Sequence, residues 1–317
     1  MSTAVESPED LVHRAVPYRD PEHQADVLRA QVGTALDEGR HAIVAVEQRC
    51  RVELERALGR DAEVRYWAPE QVHSAPPFTV AGRWGRAVRD ALAAGATGVC
   101  TVGQMIELPH AGPSYWTRLD LALGRVLQDL PVNLLCCFPD RTTTREEACA
   151  LHDELLVDGR PVPSSGRRPD HELLREHPQP PPDRLGAPLL TLPVELGGLA
   201  TMRRAVEYEA MLSGLGPGRV EDLVLAVNEL VSNGIEHGSG SPTLRLWRAE
   251  AGFVAEMADA DPCRLVYPGL DVPSLSGPRG RGLWLASELT DVLQVWTADD
   301  DPGSVQGTVV RVTMAPP

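Results

Sequence analysis

Between about residues 20 and 156, short apolar runs alternate with stretches in which apolar side chains recur at helical spacing. The runs at 42–46, 64–67, 98–102 and 132–138 predict strands, and the periodic stretches at 22–37, 52–58, 81–94, 116–128 and 144–155 predict helices. Apolar strands flanked by amphipathic helices predict a parallel, doubly wound α/β sheet buried on both faces.

The pattern breaks at residues 159–188, where Pro161, Pro163, Pro169, Pro178, Pro180, Pro181, Pro182 and Pro188 are interleaved with Gly, Ser, Arg and His. Proline fixes φ and removes a donor, so this stretch reads as a semi-rigid extended linker. It divides the chain near residue 180 into a first domain (1–160), a linker (161–188) and a second domain (189–317). The second domain has a different order. An apolar opening (189–194) leads to two helices (199–212 and 219–236), two strands (243–248 and 253–258) and a loop rich in Gly, Pro and Ser. A helix (281–289) and two closing strands (292–297 and 308–314) follow. Two leading helices and a mainly antiparallel sheet predict an α/β sandwich with helices on one face.

Composition narrows the chemistry. All 30 basic side chains are arginine, for the sequence has no lysine, which excludes a lysine-dependent P-loop and Schiff-base catalysis. A net charge of −15 with no long basic stretch argues against direct nucleic-acid binding. The six cysteines show no CxxC and no histidine spacing suited to zinc, so reduced core thiols are expected. His13, His110 and His152 read as surface or core histidines, and Cys136-Cys137 as buried strand. The N-terminus is polar and no apolar run reaches membrane-spanning length, so a cytoplasmic protein without membrane contact is expected.

The helix at 219–236 carries the sharpest pattern. Val220, Leu223, Val224, Val227, Leu230, Val231 and Ile235 form one apolar stripe, while Glu229, Asn233 and His237 stack turn on turn away from it. Two of the chain's three asparagines lie in this helix. Downstream, Asp259 ends a strand, Gly280 and Gly282 open the last helix, and Gly307-Thr308 begins the closing strand. Glycines at a helix start let backbone N–H groups approach a phosphate.

This order resembles the GHKL ATPase superfamily, and within it the anti-sigma serine kinases of the RsbW type, on the segments NELVSNGIEHG (228–238), Asp259, GRGLWLASELTDVLQV (280–295) and QGTVVRV (306–312). The resemblance implies a GHKL (Bergerat) α/β sandwich that binds ATP and Mg²⁺. It places the metal on Asn233 and the adenine amino group on Asp259, with Thr308 near the base. The lid would be formed by Gly280, Arg281, Gly282 and Leu283, His237 would lie at the nucleotide, and Glu229 would be the catalytic base. The run Asp259-Ala260-Asp261-Pro262 lacks the glycine that often follows two residues after this aspartate.

The first domain resembles the MEDS sensory domain, of RecA/KaiC-like α/β fold, through His13, Tyr18, the helix-then-strand run from 20 to 46 and Leu134-Leu135-Cys136-Cys137-Phe138-Pro139. After its first predicted strand the chain reads Glu47-Gln48-Arg49-Cys50-Arg51, which has neither glycine nor lysine for a phosphate. A MEDS-like module, a proline-rich linker and an RsbW-like module together are similar to the RsbA-type anti-sigma regulators. That likeness implies a sigma factor or a STAS-type antagonist as partner, and a homodimer. A non-catalytic partner-binding regulator with a degenerate pocket, and an atypical sensor histidine kinase, remain alternatives.

Overall fold

The computed structural model describes residues 11–59, 63–109, 111–263, 265–273, 281–298 and 305–316. His110 and the expected lid glycine Gly280 lie outside the described residues. The chain divides into two compact units at His177/Pro178.

The first unit runs β1 (Val12–Tyr18), α1 (Pro21–Asp37), β2 (His41–Ala45), α2 (Gln48–Leu58), β3 (Val64–Trp67), α3 (Pro69–Val72), α4 (Pro77–Ala93) and β4 (Val99–Gln104). It continues through α5 (Tyr115–Leu127), β5 (Val132–Pro139), α6 (Thr142–Leu151), β6 (Glu154–Val157), β7 (Arg160–Pro163) and α7 (Asp170–Glu176). The sheet order is β3-β2-β4-β5-β1-β6-β7, parallel throughout except for β7 against β6. The helix starts follow local chemistry. Asp20 caps α1 by accepting from the His23 N–H at 2.8 Å, and Pro21 occupies the first turn, where a missing donor costs nothing. Val27, Leu28 and Val32 of α1 and Leu54 of α2 pack on Val44, Val102 and Leu135 of the sheet. Ala148 of α6 covers Ala15, Phe138 and Leu155 in a separate cluster.

Several elements differ from the sequence expectation. β1 is a mid-sheet strand; its polar His13 and Arg14 hide it, and Arg14 Nε donates to Glu154 across the β1/β6 pair at 2.8 Å. The helix expected over 144–155 ends at Leu151, because residues 154–157 form a strand that pairs with β1 at 154–155 and with β7 along its length. The expected linker, 161–188, begins inside the first unit. β7 is an edge strand, the position in a sheet that tolerates Pro161 and Pro163, and α7 is anchored by buried Leu173.

The second unit contains β8 (Leu190–Pro193), α8 (Leu199–Leu212), α9 (Pro217–His237), β9 (Thr243–Ala249), β10 (Gly252–Asp259), α10 (Arg281–Leu289), β11 (Val292–Thr297) and β12 (Thr308–Met314). Its antiparallel sheet has the order β11-β12-β10-β9-β8. The apolar stripe of α9 meets Met202 and Val206 of α8 and the inward residues Leu244, Phe253, Met257 and Val312 of the sheet. Strand alternation sends Glu256, Arg311 and Trp247 to the opposite face.

The last part of the proline-rich segment covers that face. Trp296 Nε1 donates to the Pro180 carbonyl at 2.7 Å, Arg311 to that of Asp183 at 3.2 Å, and Trp247 Nε1 to that of Gly186 at 3.2 Å. Proline-rich backbone has free carbonyls and few N–H groups, which suits it to a sheet face that presents donors. Among the described residues no helix is long and apolar enough to cross a membrane.

Candidate functional site

A cavity of about 480 Å³ opens between α9, α10 and the ends of β10 and β12. The volume is within the range of small-molecule and cofactor sites. Asn233, His237, Asp259, Gly282, Leu283 and Thr308 all line it. Glu229 lies one turn before Asn233 on α9 and outside the lining, and Arg281 is exposed at the start of α10.

Asp259 is the most constrained of these residues. It is 6% exposed and closes β10. Its carboxylate accepts from the Ser239 N–H at 3.0 and 3.1 Å, the Ser239 hydroxyl at 2.9 Å and the Asp261 N–H at 2.8 Å. The C-terminal end of α9 is therefore clamped to the end of β10. Gly238 makes this possible, because a Cβ there would stand 2.6 Å from the Asp259 carboxyl carbon.

The absent glycines after Asp259 are replaced by a clip. The Thr308 hydroxyl donates to the Asp261 carbonyl at 2.8 Å and accepts from the Cys263 N–H at 2.7 Å. Its single proton is used inside the protein, so toward a ligand Thr308 can offer only a remaining lone pair and its methyl group. Gly307, with φ +67°, brings β12 so close that a Cβ would fall 2.1 Å from the Asp259 carbonyl oxygen. Only glycine tolerates both that dihedral and that approach.

Asn233 faces the cavity from α9. Among the described residues no hydrogen bond engages its amide, and a Cβ at Gly282 would stand 2.5 Å from its Nδ2. The described lining carries three carboxylates (Asp259, Asp261, Asp271) and no arginine. An anionic ligand at this wall needs a cation beside it. Ser239, Tyr267 and Trp284 are not among the candidate residues read from the sequence, whereas Asp261 belongs to the altered run after Asp259. Ser239 follows directly on the matched helix segment and Trp284 lies inside GRGLW, whereas Tyr267 carries no local signal.

A helix-borne Asn, a strand-ending Asp and a Gly-Thr strand start thus converge on one cavity over an antiparallel sheet. Residues 192–314 match the family model of the histidine kinase-like ATPase domain. Residues 12–153 match the model described as MEDS, the methanogen/methylotroph, DcmR sensory domain. The chain carries a MEDS domain followed by a histidine kinase-like ATPase domain. Comparison with curated proteins finds no match.

In the MEDS domain the turn after β2 is filled by protein. Gln104 is 1% exposed; its carbonyl accepts from the Glu47 N–H at 2.8 Å. Its amide donates to the Glu47 carboxylate at 2.8 Å and to the Tyr18 hydroxyl at 3.0 Å. Burial, with Glu47 nearby, pushes the Tyr18 phenol up to about 12, so at neutral pH it holds its proton. A carboxylate tied into this network stands where a phosphate-binding loop would need free N–H groups.

Proposed function

We propose that the ATPase domain binds ATP with Mg²⁺, and that the chain is a signalling regulator in which the MEDS domain controls the ATPase domain's hold on a protein partner. The convergence of Asn233, Asp259, Gly282 and Thr308 on one cavity carries this reading. The residues fit the metal: the Asn233 amide stands in a cradle that a Cβ at Gly282 would fill, and the surrounding carboxylates favour a divalent cation. Asn233 would hold Mg²⁺ through its side-chain oxygen, and Asp259 would accept from the adenine amino group. Bound ATP supplies the γ-phosphoryl group and Mg²⁺ the charge that offsets the phosphates. Glu229, one turn from Asn233, would take the proton of an attacking serine hydroxyl, giving phosphoserine and ADP.

In this reading the protein is an anti-sigma factor of the RsbA type, cytoplasmic and dimeric, whose partner is a sigma factor or a STAS-type antagonist. The domain order supports it. The clipped loop at 259–263, whose Thr308 proton is consumed internally, favours a second reading in which the same surface binds a partner without nucleotide.

Calorimetry on the full chain separates the two. Mg-ATP binding that disappears with chelator and in Asn233→Ala supports the first, whereas no affinity at millimolar nucleotide leaves only the second. Acid-stable phosphate transferred to a partner identifies a serine kinase. Acid-labile phosphate on the chain itself points to a histidine or aspartate target instead.

A further inference from the structure

We propose that His13, Asp120, Cys136 and His152 of the MEDS domain bind one divalent transition metal of the zinc class. The residues come from β1, α5, β5 and the C-terminal end of α6, and their ligating atoms lie within 4.8 Å of one another. His13 Nε2 is 2.8 Å from Asp120 Oδ1 and 3.3 Å from Cys136 Sγ. His152 Nε2 is 3.3 Å, and Cys136 Sγ 3.8 Å, from the same Asp120 oxygen. Metal–ligand bonds of about 2.0–2.3 Å in a tetrahedron place ligand atoms roughly 3.3–3.8 Å apart. Three of the four distances fall in that range; the 2.8 Å contact would lengthen by about half an ångström.

The decisive observation is the direction of His152. It is 2% exposed, and its Nδ1 lies 3.0 Å from the Ala148 carbonyl, which can only accept, so Nδ1 carries the hydrogen. With the hydrogen on Nδ1, the lone pair of the neutral ring lies on Nε2. That lone pair has no hydrogen-bond partner and faces a carboxylate oxygen. Two lone pairs buried against each other repel unless a cation lies between them. A backbone carbonyl accepting from the far ring nitrogen is also the usual orientation device for a metal-bound imidazole.

The charge balance agrees. One carboxylate, one thiolate and two neutral imidazoles neutralise a divalent ion, and a mixed N, S, O set selects zinc-like ions over Mg²⁺ or Ca²⁺. A cavity of about 60 Å³, bounded by Trp84, Trp116 and Phe138, reaches Asp120, Cys136 and His152 and supplies a way in.

The test uses the full chain, stripped with chelator and titrated with Co²⁺ and Zn²⁺. One equivalent of Co²⁺ is expected to give the intense visible bands of a four-coordinate ion and a thiolate-to-cobalt charge-transfer band, both displaced by Zn²⁺. Cys136→Ser should remove the charge-transfer band, and His152→Ala should weaken binding by more than the roughly 10–100-fold that loss of a hydrogen-bond partner behind a ligand costs. Cys149→Ser and Cys263→Ser should change neither. Should the cluster variants fail to fold, the near-isosteric Asp120→Asn and the wild-type titration still decide. No cobalt spectrum in the wild type, or binding that persists unchanged in the folded variants, overturns the proposal and leaves a hydrogen-bonded cluster.

Discussion

Glu256→Ala removes the acceptor at the centre of the sheet face that the proline-rich strap covers. Glu256 is 7% exposed and accepts from Arg311 Nε at 3.1 Å and Nη2 at 2.7 Å on one oxygen, and from Arg245 Nη1 at 3.2 Å on the other. Without it Arg311, 8% exposed, keeps among the described residues only the Asp183 carbonyl and the face of Trp296, 5.4 Å from its guanidinium carbon. Removing one member of a buried pair costs about 3–5 kcal/mol, because the other charge is left uncompensated. The carbonyl and the indole still solvate Arg311 in part, which sets the expected loss near 3 kcal/mol. Arg245 is the control: its side chain is 38% exposed, and Arg245→Ala should cost under about 1 kcal/mol. At about 2–4 °C per kcal/mol, the second unit's transition should fall by roughly 6–12 °C in Glu256→Ala. Thermal unfolding of the full chain, followed by calorimetry and tryptophan fluorescence, measures both. Glu256→Met with Arg311→Met should recover most of the loss, since an apolar pair of similar volume leaves no buried charge. Equal losses in Glu256→Ala and Arg245→Ala, or a double variant no better than the single, would show that an uncompensated buried charge on Arg311 does not set the cost.

Three further outcomes are expected. Gly307→Ala should destabilise the second unit by at least about 2 kcal/mol in denaturant unfolding, because a left-handed dihedral is combined with a backbone clash at the Asp259 carbonyl; an unchanged midpoint contradicts this. Thr308→Val, which keeps the shape but strips both hydrogen bonds from the 261–263 turn, should cost about 1–3 kcal/mol, with a drop in nucleotide affinity measured by calorimetry. In alkylation at pH 8 read by mass spectrometry, half-buried Cys149 and Cys263 should label first. Burial pushes Cys50 and Cys100 up to about 12, leaving roughly one thiolate in ten thousand, and Mg-ATP should slow labelling of cavity-lining Cys263 alone.

Most of the secondary structure of both domains, and the spacing of the nucleotide-type residues, is written in the local pattern of the chain. Strands such as β3 and β12 and helices such as α8 and α10 follow from local periodicity, which is a property of neighbours in the chain. The likeness of 228–238, Asp259 and 306–312 to the ATPase family was legible because helix turns and strand ends are themselves local, so their relative placement follows from the fold they specify. Elements whose state depends on a distant partner were not. β1 exists as a strand because it pairs along its length with β5, β6 because β1 and β7 flank it, and the Pro178–Pro188 segment becomes a strap because Trp296, Arg311 and Trp247 offer donors to its carbonyls. The tertiary structure alone decided the rest: the clip of Thr308 onto Asp261, the plug of Glu47 by Gln104, and the meeting of His13, Asp120, Cys136 and His152 across as many as 139 positions of chain. Such contacts have no period or motif, because they are set by how a sheet and its helices pack rather than by residues adjacent in sequence.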